Sequence, residues 1–208
     1  MKVLIYSDVH GNLPAFEKMI KCEGFCDQYI CLGDLVNYGP WSNECVELAM
    51  SLKHSVLLMG NHEEAFIQGV YDGHQLVKKF FELTIAGFNY FEEIKSFKAD
   101  YKVGNYACIH TIENRYIYPD SIVELSNNYF IGHSHHQFHL TNHNCQLYNV
   151  GSVGQNRKKI CIINYAIFDM DENSVNLKSL EYDASVVINE MNSRQYPEDC
   201  INYYRNKM

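Results

Sequence analysis

The chain has 208 residues, 47% of them hydrophobic, and a formal net charge of −8 at pH 7. That length suits one globular domain, 1–208, with a layered core. The acidic balance, with no basic cluster longer than Arg157-Lys158-Lys159, argues against a nucleic-acid partner. Bound cations can still reverse the sign locally for a small anionic substrate.

No stretch approaches the ~20 apolar residues of a membrane span. The opening Met1–Tyr6 runs straight into a polar motif with no leader-like apolar run. The expectation is a cytoplasmic protein with no membrane partner. The cysteines at 22, 26, 31, 45, 108, 145, 161 and 200 form no CxxC pair, so free thiols are expected and a thiolate zinc site is not. Cys31 and Cys108 sit in apolar runs and read as small core residues.

In chain order, Lys2–Tyr6 reads as a strand and Leu13–Cys22 as a helix with apolar residues at 13, 16, 19 and 20. Tyr29–Leu32 is a short buried strand, Asn43–Leu52 a helix and Ser55–Met59 a third strand. This β-α-β-α-β order predicts a parallel sheet covered by helices. Residues 63–94 are mostly helical, broken near Gly69–Gly73 and Gly87. Tyr101–Lys102 and Tyr106–His110 flank a Gly104-Asn105 turn. Tyr129–Ile131, Gln137–Leu140 and Gln146–Val150 follow as short strands. Ile160–Asp169 and Ser174–Glu181 form a hairpin, and the tail from Ala184 is helical with a break at Pro197. The resulting expectation is an α/β (α+β) chain: a four-layer αββα sandwich of two mixed sheets face to face, with helices outside.

Five polar clusters fall at the ends of these strands: Asp8-Val9-His10-Gly11-Asn12, Gly33-Asp34, Gly60-Asn61-His62-Glu63, His110, and Gly132-His133-Ser134-His135. Strand ends in such sheets line the ligand crevice. An oxygen-and-nitrogen donor set of this kind suits Mn, Fe or Zn. In an extended segment residues two apart share a side, so Asp8 and His10 are expected to grip one ion and His133 and His135 to do likewise. Asp34, on a strand between the others, could bridge two ions.

In this order the clusters resemble the signature of the calcineurin-like metallophosphoesterase family, over residues 3 to about 157. Gly33–Pro40, Asn149–Gln155 and Tyr196-Pro197-Glu198 are similar to its small, cap-less bacterial and archaeal phosphodiesterase-like branch. The resemblance implies two transition-metal ions, Mn foremost, with Fe, Zn or Ni as alternatives. Asp8, His10 and His135 would hold one, Asn61, His110 and His133 the other, and Asp34 would bridge. It further implies in-line hydrolysis of a phosphate ester by a hydroxide between cations about 3.5–4 Å apart. His62 would be catalytic, either protonating the leaving oxygen or stabilising transition-state charge. One departure stands out: His110 is followed by Thr111-Ile112 where the family often has Gly-Ser.

Singly, each motif has a plain structural explanation. Asp-x-His is usually a surface turn, and Asn61 could be a helix N-cap. All five in family order outweigh those readings. Asn12 is a candidate substrate contact or a helix N-cap, and Arg157 a candidate phosphate contact or a surface ion-pair partner. His54, His74, His136, His139 and His143 read as surface or satisfied histidines. The expected partner is a small phosphate ester, with small phosphodiesters favoured by the lack of a cap-sized insertion. The Glu63-Glu64 pair should repel long polyanions. Rival functions are a phosphomonoesterase, a protein serine/threonine phosphatase, and a metal-free scaffold like the retromer subunit of this fold. Asn37-Tyr38-Gly39 lacks the arginine of protein phosphatases, and the intact ligand set argues against a scaffold. A homo-oligomer is left open.

Overall fold

Three short strands carry the first half: β1 (Lys2–Tyr6), β2 (Gln28–Cys31) and β3 (Ser55–Leu57), joined by α1 (Leu13–Glu23) and α2 (Ser42–Ser51). The computed structural model describes residues 1–142 and 144–208, so the expectation for His143 lies outside the described residues. Asn12 starts α1 by accepting the Ala15 N–H at 3.2 Å, and Gly24 ends it at a positive φ of 63°, its N–H donating to the Ile20 carbonyl. Between them Ala15, Phe16 and Met19 form the buried face. The strands pair in parallel, with Ile5 beside Ile30 and Ile30 beside Val56.

The helical stretch resolves into α3 (Asn61–Gln68), α4 (Gln75–Ile85) and α5 (Phe91–Lys95). Gly69 closes α3 with φ 71°. The hairpin β4 (Asp100–Val103) and β5 (Tyr106–Ile109) turns at Gly104 as its sequence predicts. Then come β6 (Asn128–Ile131), β7 (Gln137–Asn142), β8 (Cys145–Val150), β9 (Ile162–Asp169), β10 (Ser174–Glu181), α6 (Ser185–Ser193) and α7 (Glu198–Arg205).

Two mixed five-stranded sheets result, ordered β10-β9-β1-β2-β3 and β4-β5-β6-β8-β7. Each holds three parallel strands, β1, β2 and β3 in one and β5, β6 and β8 in the other. The expected sandwich of two sheets is what forms. Between the sheets lie Val3, Ile5, Ile30, Leu32 and Phe168 from one, and Val103, Tyr106, Cys108 and Phe130 from the other. Phe168 meets Tyr106 edge-on at 5.3 Å between centroids and Phe130 at 5.8 Å. Such ring pairs add about 0.5–1.5 kcal/mol each beyond burial.

The outer face of the first sheet packs on α1, α2 and α3 through Tyr6, Phe16, Met19, Val46 and Phe66. The outer face of the second carries Ile131, Leu147 and Phe138, covered by Ile117 and Val123 from the long β5–β6 connection. All eight cysteines are unpaired, and Cys31 and Cys108 are buried as expected. No helix among the described residues is long and apolar enough to cross a membrane.

Candidate metal centre

Parallel strands from both sheets end at one edge, and each delivers a polar side chain there. Asp8 and His10 follow β1, Asp34 follows β2, Asn61 follows β3, His110 follows β5, and His133 and His135 follow β6. All seven meet in one cluster. The segments are not extended. Asp8, His10, Asp34, His133 and His135 all have φ between 50° and 66°, in the left-handed region. This overturns the expectation that His133 and His135 grip one ion. His133 and His135, each at a backbone turn, enter different groups, while Asp8 and His10, turned in the same way, share one.

One group comprises Asp8, His10, Asp34 and His135, and the other Asp34, His110 and His133. In the first, His135 Nε2 lies 3.1 Å from Asp8 Oδ1 and 3.2 Å from His10 Nε2. In the second, His110 Nε2 lies 3.1 Å from His133 Nδ1, and both approach Asn61 Oδ1, at 3.1 and 2.9 Å. Asp34 Oδ2 faces both, 3.8 Å from His10 Nε2 and 3.2 Å from His110 Nε2. That places Asp34 between the groups.

Backbone groups orient these side chains. The Nδ1 atoms of His10, His110 and His135 bond the carbonyls of Val36, Leu32 and Gln155 at 2.8–3.0 Å. A carbonyl only accepts, so each Nδ1 carries a proton, and in the neutral ring each Nε2 presents a lone pair to the cluster. Asp8 Oδ2 accepts the His133 N–H and Asp34 Oδ1 the His62 N–H. The other oxygen of each carboxylate points into the cluster, and Asp8 Oδ1 is buried with no hydrogen-bond partner among the described residues. Gly60 leaves room for this: a Cβ there would fall on Asp34 Oδ1.

The charges run the same way. Burial would raise the carboxyls of Asp8 and Asp34, yet His135 beside Asp8 and His110 beside Asp34 hold both below the usual carboxylate range. Burial would lower His110, but Asp34 and Asp8 push it up to about 10, while burial and His110 drive His133 down to about 4. Two dry carboxylates and converging nitrogen lone pairs are a donor set that fits two cations.

Glu63 is the residue whose part the sequence reading missed. It is wholly buried. Its carboxylate accepts the N–H groups of Gly60 at 2.9 Å, Asp34 at 2.7 Å, Leu35 at 2.7 Å and Val36 at 3.3 Å. It therefore cannot help Glu64 repel polyanions, as the sequence suggested; it braces the Asp34 loop from behind. Gly60, not Asn61, caps α3, which leaves the Asn61 amide free for the cluster.

Asn12 is also fully buried and committed elsewhere. Its oxygen caps α1, and its amide donates to the Gly154 carbonyl and the Tyr182 hydroxyl. It is an N-cap and not a substrate contact. Arg157 is in no ion pair among the described residues; it lines a cavity of about 450 Å³ beside the cluster and bonds the Tyr203 hydroxyl at 3.2 Å. Asp34, Asn61, His62, His133 and His135 form one side of that cavity, and Tyr38, Tyr71, Tyr116 and Tyr203 wall it. His74, read as a surface histidine, lines it too while capping α4. His139 is exposed and stacks on Tyr148, and His54 is exposed. Thr111, in the departure from the family pattern, bonds the Arg115 carbonyl. The turn brings Tyr116 to stack on His133 at 4.1 Å. A second cavity, about 600 Å³, lies beyond Tyr116 and is lined by Glu64, His110 and Thr111.

The profile of the calcineurin-like phosphoesterases matches residues 1–161. The chain belongs to the calcineurin-like phosphoesterase family. It is thus a metal-dependent phosphoesterase, a hydrolase of a family that binds two divalent metals. The phosphoesterase is 28% identical over 237 residues to an uncharacterised protein of Methanocaldococcus jannaschii, covering 94% of each chain. It matches the crystal structure of a metallophosphoesterase from Sphaerobacter thermophilus with a TM-score of 0.85 and 24% identity, over 100% of this chain and 99% of that one. A shorter match of 32% over 110 residues reaches a symmetrical bis(5'-nucleosyl)-tetraphosphatase of Buchnera aphidicola, covering 51% of the phosphoesterase and 37% of that protein.

Proposed function

We propose that this phosphoesterase hydrolyses small phosphodiesters with two transition-metal ions, Mn foremost. Asp8, His10 and His135 hold one ion, Asn61, His110 and His133 the other, and Asp34 both. When bound, the ions supply positive charge that polarises the phosphate and acidifies water. The chain's own residues then bind and orient the ester. Arg157 reaches a phosphate oxygen from the cavity wall, and His62 faces the same space. Tyr71, Tyr116 and Tyr203 offer flat apolar surface to one organic group of the substrate.

The observation that carries the diester reading is room on both sides of the cluster. Asn61, Tyr116 and His133 line both cavities, so each ester group of a diester has somewhere to lie. One observation favours a phosphomonoesterase instead: Arg157 turned to the cavity could recognise a dianion. The scaffold reading has no support in a site with every donor in place. Eight unpaired thiols suit the reducing cytoplasm. The test compares kcat/KM for bis-nitrophenyl phosphate with that for nitrophenyl phosphate at fixed Mn and pH. A clear preference for the monoester overturns the diester reading.

A further inference from the structure

The longest run of positive charge in this acidic chain, Arg157-Lys158-Lys159, divides between two cavities. Arg157 lines the tyrosine-walled one. Lys158 and Lys159 line another, of about 360 Å³, and His135 borders both. No carboxylate among the described residues lines this third cavity, although the chain has 25 acidic residues against 17 basic. Neither lysine is in an ion pair among the described residues. Two uncompensated positive charges thus stand beside a histidine of the metal cluster.

The backbone of both lysines is held in place by the fold. The side-chain oxygen of Asn156 accepts their two N–H groups, at 2.9 and 3.1 Å. A backbone N–H only donates, so the Asn156 amide must point the other way, where it donates to the Asn164 oxygen at 2.6 Å. The Asn164 amide in turn donates to the Ser179 hydroxyl at 2.7 Å. Asn156 and Asn164 are both buried. Ser179, at the cavity wall, thus receives a hydrogen bond and keeps its own proton, which has no acceptor among the described residues. On the far side of the loop the Lys159 carbonyl accepts the Ile162 N–H at 3.1 Å, and the Ile160 N–H bonds the Lys207 carbonyl at 2.8 Å. Gln137 commits its amide to the carbonyls of Val150, Tyr165 and Lys178 and offers the cavity no donor. What remains for a ligand is two ammonium groups and a hydroxyl proton.

We propose that this cavity is a subsite for a second phosphoryl group of the substrate, held by Lys158 and Lys159 while the scissile phosphate lies at the metal cluster. A phosphoryl group presents oxygens that only accept, and an ammonium group only donates. Lysine suits the task because its point charge on a flexible stem tolerates any orientation of the phosphoryl oxygens. An ester with two uncharged arms would leave both charges facing water. The tyrosine-walled cavity and this one meet at His135, so the organic group and the second phosphoryl group leave the scissile phosphate in different directions. The substrate class narrows from small phosphodiesters to those with a further phosphate on one arm. This rests on the phosphoesterase reading of the site.

The test uses methylphosphonate and methylenediphosphonate, which differ by one phosphoryl group and contain no ester or anhydride bond to hydrolyse. Each is titrated by calorimetry into the Mn-loaded protein, and metal content is checked afterwards. The metals alone favour a diphosphonate, so the readout is how the ratio of the two affinities depends on the lysines. In the double variant Lys158→Gln, Lys159→Gln that ratio should fall about fivefold or more below wild type, and Lys158→Arg with Lys159→Arg should keep it. An unchanged ratio in the glutamine variant, folded and with two metals bound, overturns the proposal. So does inorganic phosphate that binds alongside methylphosphonate through the lysines with no gain for the diphosphonate, because the cavity is then a site for a free anion. A chain that hydrolyses no ester with any metal refutes the phosphoesterase reading instead, and the ratio then decides the subsite alone.

Discussion

Replacing Glu63 with Gln preserves the shape of the side chain and removes half of what it does. In the wild type one carboxylate oxygen receives Leu35 and Val36 and the other receives Gly60 and Asp34. Gln keeps a single oxygen, so two of the four N–H groups face an NH2 donor. A buried donor left unsatisfied costs about 1–3 kcal/mol. Two of them give on the order of 2–6 kcal/mol. Part is returned, because burial and the charge of Asp34 push the Glu63 carboxyl up to about 7; the neutral amide is spared that cost. The net expectation is a loss of about 3 kcal/mol. At about 2–4 °C per kcal/mol for a chain of this size, the melting midpoint should fall by about 6–12 °C. The assay is urea unfolding with metals chelated, followed by circular dichroism, and the urea dependence should be unchanged. A loss below about 1 kcal/mol would show that the loop is braced by something other than this carboxylate.

Asp34→Asn should weaken metal binding more than His135→Ala, because Asp34 faces both groups and supplies charge to each. Calorimetry with Mn decides it; two ions bound as tightly by Asp34→Asn as by wild type would show that Asp34 does not bridge. Lys207 offers a pH test away from the metals. Its Nζ is buried without a hydrogen-bond partner among the described residues, 3.7 Å over the Tyr203 ring. Burial and then Arg157 push it down to about 7 from an ordinary 10.5. The unfolded chain therefore binds the proton more tightly, the native state is penalised below about pH 7, and stability returns as pH rises from 7 towards 10.5. Lys207→Met should be more stable than wild type near neutral pH and lack that rise. Urea melts across the range check it, and parallel curves for the two proteins would remove Lys207 as the cause.

The strand-helix order was legible because β1, β2, β5, β6 and β8 are apolar runs cut off by polar motifs, and those same cut-off points are the ends that meet. Glycine marked the breaks at 69 and 104 correctly. What could not be read was conformation at single residues. Nothing in Gly132-His133-Ser134-His135 announces two left-handed residues, so a strand-like rule put His133 and His135 in one group. Glu63 was visible as a charge, but its burial depends on the β2 and β3 loops lying back to back, a long-range fact. Arg157 likewise takes its meaning from a partner 46 residues away. The capping roles of Asn12 and Gly60 were nearer to hand, since an Asn before an apolar helix and a Gly before Asn-His-Glu both have local precedents.

The left-handed backbone of five cluster residues makes the centre a standing debt against the rest of the fold. Residues held in such regions cost of order 1–3 kcal/mol each, somewhat less for Asp8 and Asp34, whose short polar side chains tolerate them. Even at the low end, five add up to a sizeable fraction of the ~5–15 kcal/mol that keeps an ordinary domain folded. Selection for stability and selection for the centre thus pull opposite ways at the same positions. Glycine at His10 or His133 would relax the turn and abolish the donor in one step. A search for thermostable variants that ignored activity should find those sites early, and a lineage released from the need for metals should lose its histidines there before it loses its core.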